Sequence, residues 1–95
     1  DSRTRYTALQ VTPRPGGLVQ ILTQRVGSSG TTYALREIDC RGARFRYMGN
    51  GDTREAALAA RTNEPMGPLT EGSISTQVAT FACAGVGGLN QRAVR

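Results

Sequence analysis

Histidine, lysine and tryptophan are absent from this 95-residue chain, and cysteine occurs only twice. Without histidine there can be no His-based triad or dyad, and without lysine there can be no Schiff-base or lysine-base chemistry. Two cysteines without histidine also fall short of a zinc site, which usually needs about four nitrogen or sulfur ligands. We therefore expect no enzymatic activity, no metal and no other cofactor.

Long apolar runs are also missing, because no stretch approaches the ~18 apolar residues of a membrane span. The sequence therefore predicts no transmembrane segment. The chain starts at Asp1 rather than at methionine. This start favours a mature form left after removal of a signal peptide, or a trimmed chain.

The two cysteines lie at the ends of two patterned stretches. Cys40 ends a strand-like run, and Cys83 lies in the last turn of a helix-like one. We predict a Cys40–Cys83 disulfide, which would stabilise the small domain by roughly 4 kcal/mol through the entropy of the unfolded chain. The alternative is a pair of buried free thiols in a cytosolic protein. A disulfide would imply export to the periplasm, the outer surface or the medium.

Alternating apolar and polar residues predict strands separated by Gly- and Pro-rich turns. The predicted strands are Arg5–Val11, Leu18–Val26, Thr31–Cys40 and Ala43–Met48. Arg36 shares the side of the third strand that should face the helix. We expect this arginine to lie beyond the footprint of the helix or to extend into water.

One helix is predicted clearly and one is ambiguous. Ser73–Cys83 has an N-capping serine, with Gly85 as the expected stop, and its predicted buried face holds Ile74, Val78, Phe81 and Ala82. Thr53–Arg61 follows a capping-box pattern, Asp52-Thr-Arg-Glu55, but has only Leu58 as a large apolar residue. Arg54–Arg61 can therefore be a weakly anchored surface helix or an extended edge segment.

The order of these elements predicts a single α+β domain over residues 1–95. It consists of an antiparallel sheet of about four strands, with the C-terminal helix packed on one face and held by the disulfide. Residues 1–4 are polar, and residues 86–95 have little apolar content. Both ends are therefore predicted to be flexible.

The net charge of +5 comes from twelve basic residues, all of them arginine. One interpretation is a surface for anionic ligands, formed by Arg36, Arg41, Arg44 and Arg46. The alternative is the codon usage of a GC-rich genome. Nucleic-acid binding is disfavoured, because strand alternation turns Phe45 and Tyr47 away from the neighbouring arginines.

Several short motifs suggest a family. In order, they are Glu37-Ile-Asp39-Cys40, Phe45-Arg46-Tyr47, Pro68-Leu-Thr-Glu-Gly72-Ser73 and Phe81-Ala-Cys83. Over about Thr31–Cys83 the chain resembles the surface-adhesin protein E-like domain of Gram-negative bacteria. It departs from that pattern in the position of its proline and in lacking the usual tryptophan.

The resemblance implies a small secreted or lipid-anchored domain with an antiparallel sheet, a packed helix and a structural disulfide. For the best-known member it implies adhesion to host matrix and serum proteins, as a dimer. No binding residues carry over, because the matched positions are of the structural kind.

We therefore expect an exported, non-enzymatic binding module of the bacterial envelope or cell surface, whose partner is a host matrix or serum protein or an envelope protein. One alternative is an accessory or inhibitor domain of an envelope machine or periplasmic enzyme. A second alternative is an arginine-mediated binder of anionic polymers.

Overall fold

A computed structural model describes residues 3–95, which contain a five-stranded antiparallel sheet and two α-helices. The elements in chain order are β1 (Arg5–Arg14), β2 (Leu18–Gly27), β3 (Gly30–Asp39), β4 (Arg44–Gly51), α1 (Arg54–Ala59), β5 (Gly67–Pro68) and α2 (Ile74–Cys83). The predicted α+β fold is confirmed, with the two-residue β5 in addition to the four predicted strands. The prediction of a flexible start at residues 1–4 falls partly on Asp1 and Ser2, outside the described residues.

The strands are neighbours in the order β1-β2-β3-β4-β5. Side chains of alternate residues therefore point to opposite faces of one continuous sheet. Val19 pairs with Ile38 and Ile38 with Phe45, so these three side chains lie on the face that α2 covers, the α2 face. The main core lies between this face and α2.

Cys40 and Cys83 form the predicted disulfide, with Cα atoms 5.9 Å apart. Both cysteines are buried in the core cluster. The disulfide therefore ties the end of α2 to the chain directly after β3.

Helix α2 is capped as predicted, because the Ser73 hydroxyl accepts a hydrogen bond from the Thr76 N–H at 3.1 Å. The predicted buried face is partly wrong. Val78 and Ala82 are buried, but Ile74 is 39% exposed and Phe81 is 62% exposed. The other buried residues of α2 are Ser75, Thr76, Ala79 and Cys83. The disulfide fixes the rotation of the helix, and small side chains let it approach the sheet closely.

Helix α1 forms on the opposite face of the sheet, the α1 face. Thr53, rather than Asp52, is its N-cap and accepts the Ala56 N–H at 3.1 Å. Its buried residue is the small Ala57, whereas Leu58 is exposed. A Cβ atom on Gly49 would collide with the Ala57 carbonyl oxygen. The missing side chain at Gly49 therefore allows α1 to lie directly on β4.

The C-terminal segment is packed, although residues 86–95 were predicted to be a flexible end. The Asn90 N–H donates to the Cys40 carbonyl oxygen at 2.9 Å, and the Arg95 N–H donates to the Leu69 carbonyl oxygen at 2.8 Å. Leu89 and Val94 pack against the core. These hydrogen bonds join parts of the chain that are distant in sequence, so composition alone does not predict them.

The end of α2 also differs from the prediction. The helix continues as a 3-10 turn over Ala84–Val86, and the left-handed residue that follows is Gly87, with φ of 104°, rather than Gly85. Across residues 3–95, none of the helices is long and apolar enough to span a membrane.

Candidate binding groove beside the edge strand

Strand β1 lies at one edge of the sheet and pairs with β2 alone. Eight of its ten residues are exposed, and the other two are half-buried. An edge strand presents a row of backbone N–H and C=O groups that another strand can pair with. In the described chain, β1 is therefore the longest stretch of backbone open to pairing.

A cavity of about 450 Å³ lies between β1 and α2, and we call it the β1 groove. Its lining is mainly apolar and includes Tyr6, Ala8, Ile21, Ile74, Val78 and Phe81. Tyr6 is 40% exposed, and Ile74 and Phe81 also reach the solvent. The α2 side chains that the core leaves out thus form one wall of this groove.

The β1 groove adjoins a second cavity of about 460 Å³, which we call the Arg36 pocket. Tyr6 and Thr23 line both cavities. The rest of the Arg36 pocket is polar and aromatic, with lining residues that include Arg25, Tyr33, Arg36, Tyr47 and Asp52. An apolar groove therefore continues into a pocket that holds two arginines.

Arg36 is 4% exposed, so the expectation that it lies beyond the helix or extends into water is wrong. Its Nε donates to the Ser75 hydroxyl at 3.1 Å and its Nη1 to the Thr23 hydroxyl at 3.0 Å. Its Nη2 donates to the Tyr47 hydroxyl at 3.3 Å, and its Cζ lies 4.9 Å from the centre of the Tyr47 ring. These contacts hold the guanidinium under the first turn of α2.

Within residues 3–95, the side chain of Arg36 donates its hydrogen bonds to neutral hydroxyls, and neither ion pair found there involves it. A buried charge is costly unless it is paired and hydrogen-bonded. The guanidinium has more N–H donors than these three bonds use. Arg36 is thus a buried cation with donors left for an anion.

The other three residues of the predicted anionic-ligand surface lie elsewhere. Arg44 and Arg46 belong to the α1 face, since they pair in register with Asp39 and Glu37. Arg41 lies in the exposed turn between β3 and β4. The structure therefore does not gather Arg36, Arg41, Arg44 and Arg46 into one surface.

Carboxylates neutralise two of these arginines. Arg46 Nη2 lies 2.7 Å from Glu37 Oε1, and Arg44 Nη2 lies 3.1 Å from Asp39 Oδ2. Burial raises the pKa of Glu37, but hydrogen bonds from Gln20 and Arg46 and nearby arginine charges lower the pKa more, so it falls below its ordinary value. The backbone N–H of Gly42, followed by Arg44, lowers the pKa of Asp39. At neutral pH, Glu37 and Asp39 are therefore ionised and form ion pairs within the sheet.

Arg44 also borders a third cavity, of about 470 Å³, together with Arg92 and Arg95. We call Arg44, Arg92 and Arg95 the Arg44 patch. Sequence reasoning missed the last two because it treated their segment as a loose tail.

Sequence reasoning also missed the β1 groove, although one signal could have shown it. At 3.6 residues per turn, Phe81 and Ile74 lie about 180–200° around the helix from Cys83. Thr76 and Ala79 lie within about 40° of the direction of Cys83 and are buried. The disulfide therefore predicts which side of α2 faces away from the sheet.

Among residues 3–95, no group of three or more cysteines and carboxylates is placed to hold a metal ion. Comparisons with protein-family models, with curated proteins and with solved structures found no match to this chain.

Proposed function

We propose that this chain is an exported, non-enzymatic binding domain of the bacterial envelope or cell surface, and that it binds an extended segment of another protein along β1 and the β1 groove. The open edge of β1 beside an apolar groove is the observation that carries this proposal. Exposed apolar patches next to unpaired strand edges are typical of sites where a peptide adds a strand to a sheet.

Charge favours an acidic segment as the occupant. Arg5 and Arg14 are exposed at the two ends of β1, and Arg25 and Arg36 line the adjoining pocket. The whole chain carries a net charge of +5. A segment that alternates apolar and acidic side chains could place its apolar groups in the groove and turn its carboxylates to the opposite face of the sheet, on the side of Arg5 and Arg14.

A second copy of the chain is a less favourable occupant. Full-length antiparallel pairing of β1 with itself would place Arg5 opposite Arg14 at both ends of the pair. Like charges directly opposite each other destabilise strand pairing. The dimer that the resemblance implies stays a prediction.

The disulfide supports export, because disulfides persist in oxidising compartments. A host matrix or serum protein as partner would make the chain adhesin-like. An envelope protein as partner would instead make it an accessory or inhibitor domain. Both versions require a protein-binding surface, so the same groove would serve either.

The test uses an array of random peptides of about ten residues, the length of β1. It compares the wild-type protein with Phe81→Ser and with Leu58→Ser. Leu58 is a matched control, because it is an exposed apolar residue on α1, away from the groove.

We expect the wild type and Leu58→Ser to bind a shared set of peptides that alternate apolar and acidic residues. Phe81→Ser should bind the same peptides at least tenfold more weakly, which corresponds to about 1.4 kcal/mol. Equal binding by the two variants, or no binding by the wild type, would contradict the proposal.

The Arg44 patch supports a second candidate function, binding of anionic polymers. Arg92 and Arg95 are exposed and border the same cavity as Arg44. Two results would support this function. The affinity for heparin should fall steeply with added salt, and Arg92→Gln should bind heparin more weakly than the wild type does. Binding that does not depend on salt would exclude it.

A further inference from the structure

We infer that the Arg36 pocket is a carboxylate site, and that it fixes an acidic group of the segment bound in the β1 groove. This inference rests on the proposed function, since it assigns a chemical role to the far end of the same groove.

Arg36 is the cation that would bind the carboxylate. Its guanidinium is buried, is held in place by three hydroxyls and a tyrosine ring, and has no carboxylate partner within residues 3–95. An arginine held in this way loses little side-chain freedom when it binds a carboxylate. A planar carboxylate can accept N–H donors that the hydroxyls leave unused.

The lining of the Arg36 pocket carries more positive than negative charge. Arg36 itself lines the pocket, and Arg25 lines the same cavity with Tyr33. Asp52 also lines it, yet it forms no ion pair with either arginine in the described part of the chain. The pocket therefore has two cations and one anion, which leaves charge for an external carboxylate.

The neighbouring β1 groove indicates which kind of ligand carries the carboxylate, because the two cavities share lining residues. Thr23 accepts a hydrogen bond from Arg36 and also lines the β1 groove. Ala8, the strand partner of Thr23, has a small side chain and lines the groove at this point. A ligand with an apolar group in the groove and a carboxylate at Arg36 fits both cavities, and a polypeptide segment provides that combination.

Two matched pairs of small probes test the inference by NMR titration. Acetyl-leucine is compared with acetyl-leucinamide, which tests a C-terminal carboxylate. Acetyl-Leu-Glu-amide is compared with acetyl-Leu-Gln-amide, which tests a side-chain carboxylate. Inorganic phosphate is titrated separately, to distinguish a peptide carboxylate from a general anion.

We expect at least one acid to bind about fivefold or more tightly than its amide, since charge-assisted hydrogen bonds are stronger than neutral ones. The largest shifts should be at the backbone amides of Thr23, Ala34 and Arg36, and the pair that shows the preference identifies the source. Equal binding of acids and amides in the groove would overturn the inference and leave the proposed function intact. Binding of phosphate but of neither acid, or shifts confined to the Arg44 patch, would overturn it as well.

Substitutions of single arginines test which residue recognises the carboxylate. Arg36→Gln should remove the preference for the acid, whereas Arg61→Gln, the same loss of charge at an exposed arginine that lines neither the β1 groove nor the Arg36 pocket, should keep it. If Arg36→Gln does not fold, the wild-type comparison still decides, and Arg25→Gln should reduce the preference about twofold or more. A full preference in a folded Arg36→Gln protein would contradict the assignment. Loss of all peptide binding in the array experiment would instead count against the proposed function.

Discussion

At the scale of single residues, Gly49 determines how α1 meets the sheet. A Cβ atom at this position would lie 2.6 Å from the Ala60 Cβ and would also collide with the Ala57 backbone. Because Ala57 is fully buried, the helix cannot move aside without opening the contact. Gly49 therefore serves as a packing surface for α1.

We predict that Gly49→Ala destabilises the protein by about 1–3 kcal/mol, the usual cost of overpacking. Gly85→Ala is the control, because a Cβ there meets nothing within 4 Å and its φ is not in the left-handed region. That control should change stability by less than about 1 kcal/mol, and any change should be stabilising. Urea denaturation measures both variants, and equal effects would contradict the close approach of α1.

Glu37 makes stability depend on pH. Its folded-state pKa lies below the ordinary value of 4.5, so the folded protein releases this proton more readily than the unfolded chain. The stabilisation is therefore complete above about pH 4.5 and is lost as the pH falls through the folded pKa. Asp39 acts in the same direction from its ordinary value of 3.8.

We predict that the free energy of unfolding falls between about pH 5 and pH 3, and that Glu37→Gln makes this fall smaller. Arg46→Gln should also reduce it, because this change removes the ion-pair partner and keeps the carboxylate. Urea denaturation at a series of pH values measures the slope. An unchanged slope in both variants would mean that the pair contributes nothing.

At the scale of elements, the disulfide and α2 belong together. Cys83 sets the rotation of the helix, so Ala79 and Ala82 face the sheet and Phe81 faces the groove. The sequence pattern predicted the helix, its N-cap and its cysteine pairing from local signals. It placed Phe81 and Ile74 in the core, because apolar periodicity alone does not say which of two overlapping faces the tertiary structure buries.

We predict that Phe81→Ala costs less than about 1 kcal/mol of stability, compared with about 3–5 kcal/mol for a phenylalanine in a core. Ala79→Leu, at a fully buried position, should cost about 1–3 kcal/mol or more. Thermal or urea denaturation of the two variants checks the rotation of α2. If Phe81→Ala lost more stability than Ala79→Leu, the buried face of α2 would be the one that the sequence predicted.

Removal of the disulfide tests the link between α2 and β3. The loop that it closes separates the cysteines by 43 residues, so Cys40→Ala combined with Cys83→Ala should cost about 4 kcal/mol. Domains of this size are usually stable by only about 5–15 kcal/mol, so the double variant should be close to unfolding. A loss below about 1 kcal/mol would show that packing alone holds the helix.

At the scale of the whole molecule, local sequence patterns predict the long strands of the sheet, but they do not predict the β1 groove or the burial of Arg36. Strand alternation and turn residues predicted the four long strands, and the two cysteines predicted how α2 is attached. The packed segment ending at Arg95 could not be predicted, because hydrogen bonds to Cys40 and Leu69 hold it from far along the chain. The burial of Arg36 depends in the same way on Ser75, which lies 39 residues away.

We propose that another polypeptide pairs with the edge of β1 and fills the β1 groove. Hydrogen–deuterium exchange of the wild-type protein, with and without a peptide selected from the array, measures this pairing at the backbone. Strand pairing protects backbone amides from exchange. We predict slower exchange within Arg5–Arg14 when the peptide is bound, with little change in β4. Unchanged exchange in β1, or protection centred on the Arg44 patch, would contradict it.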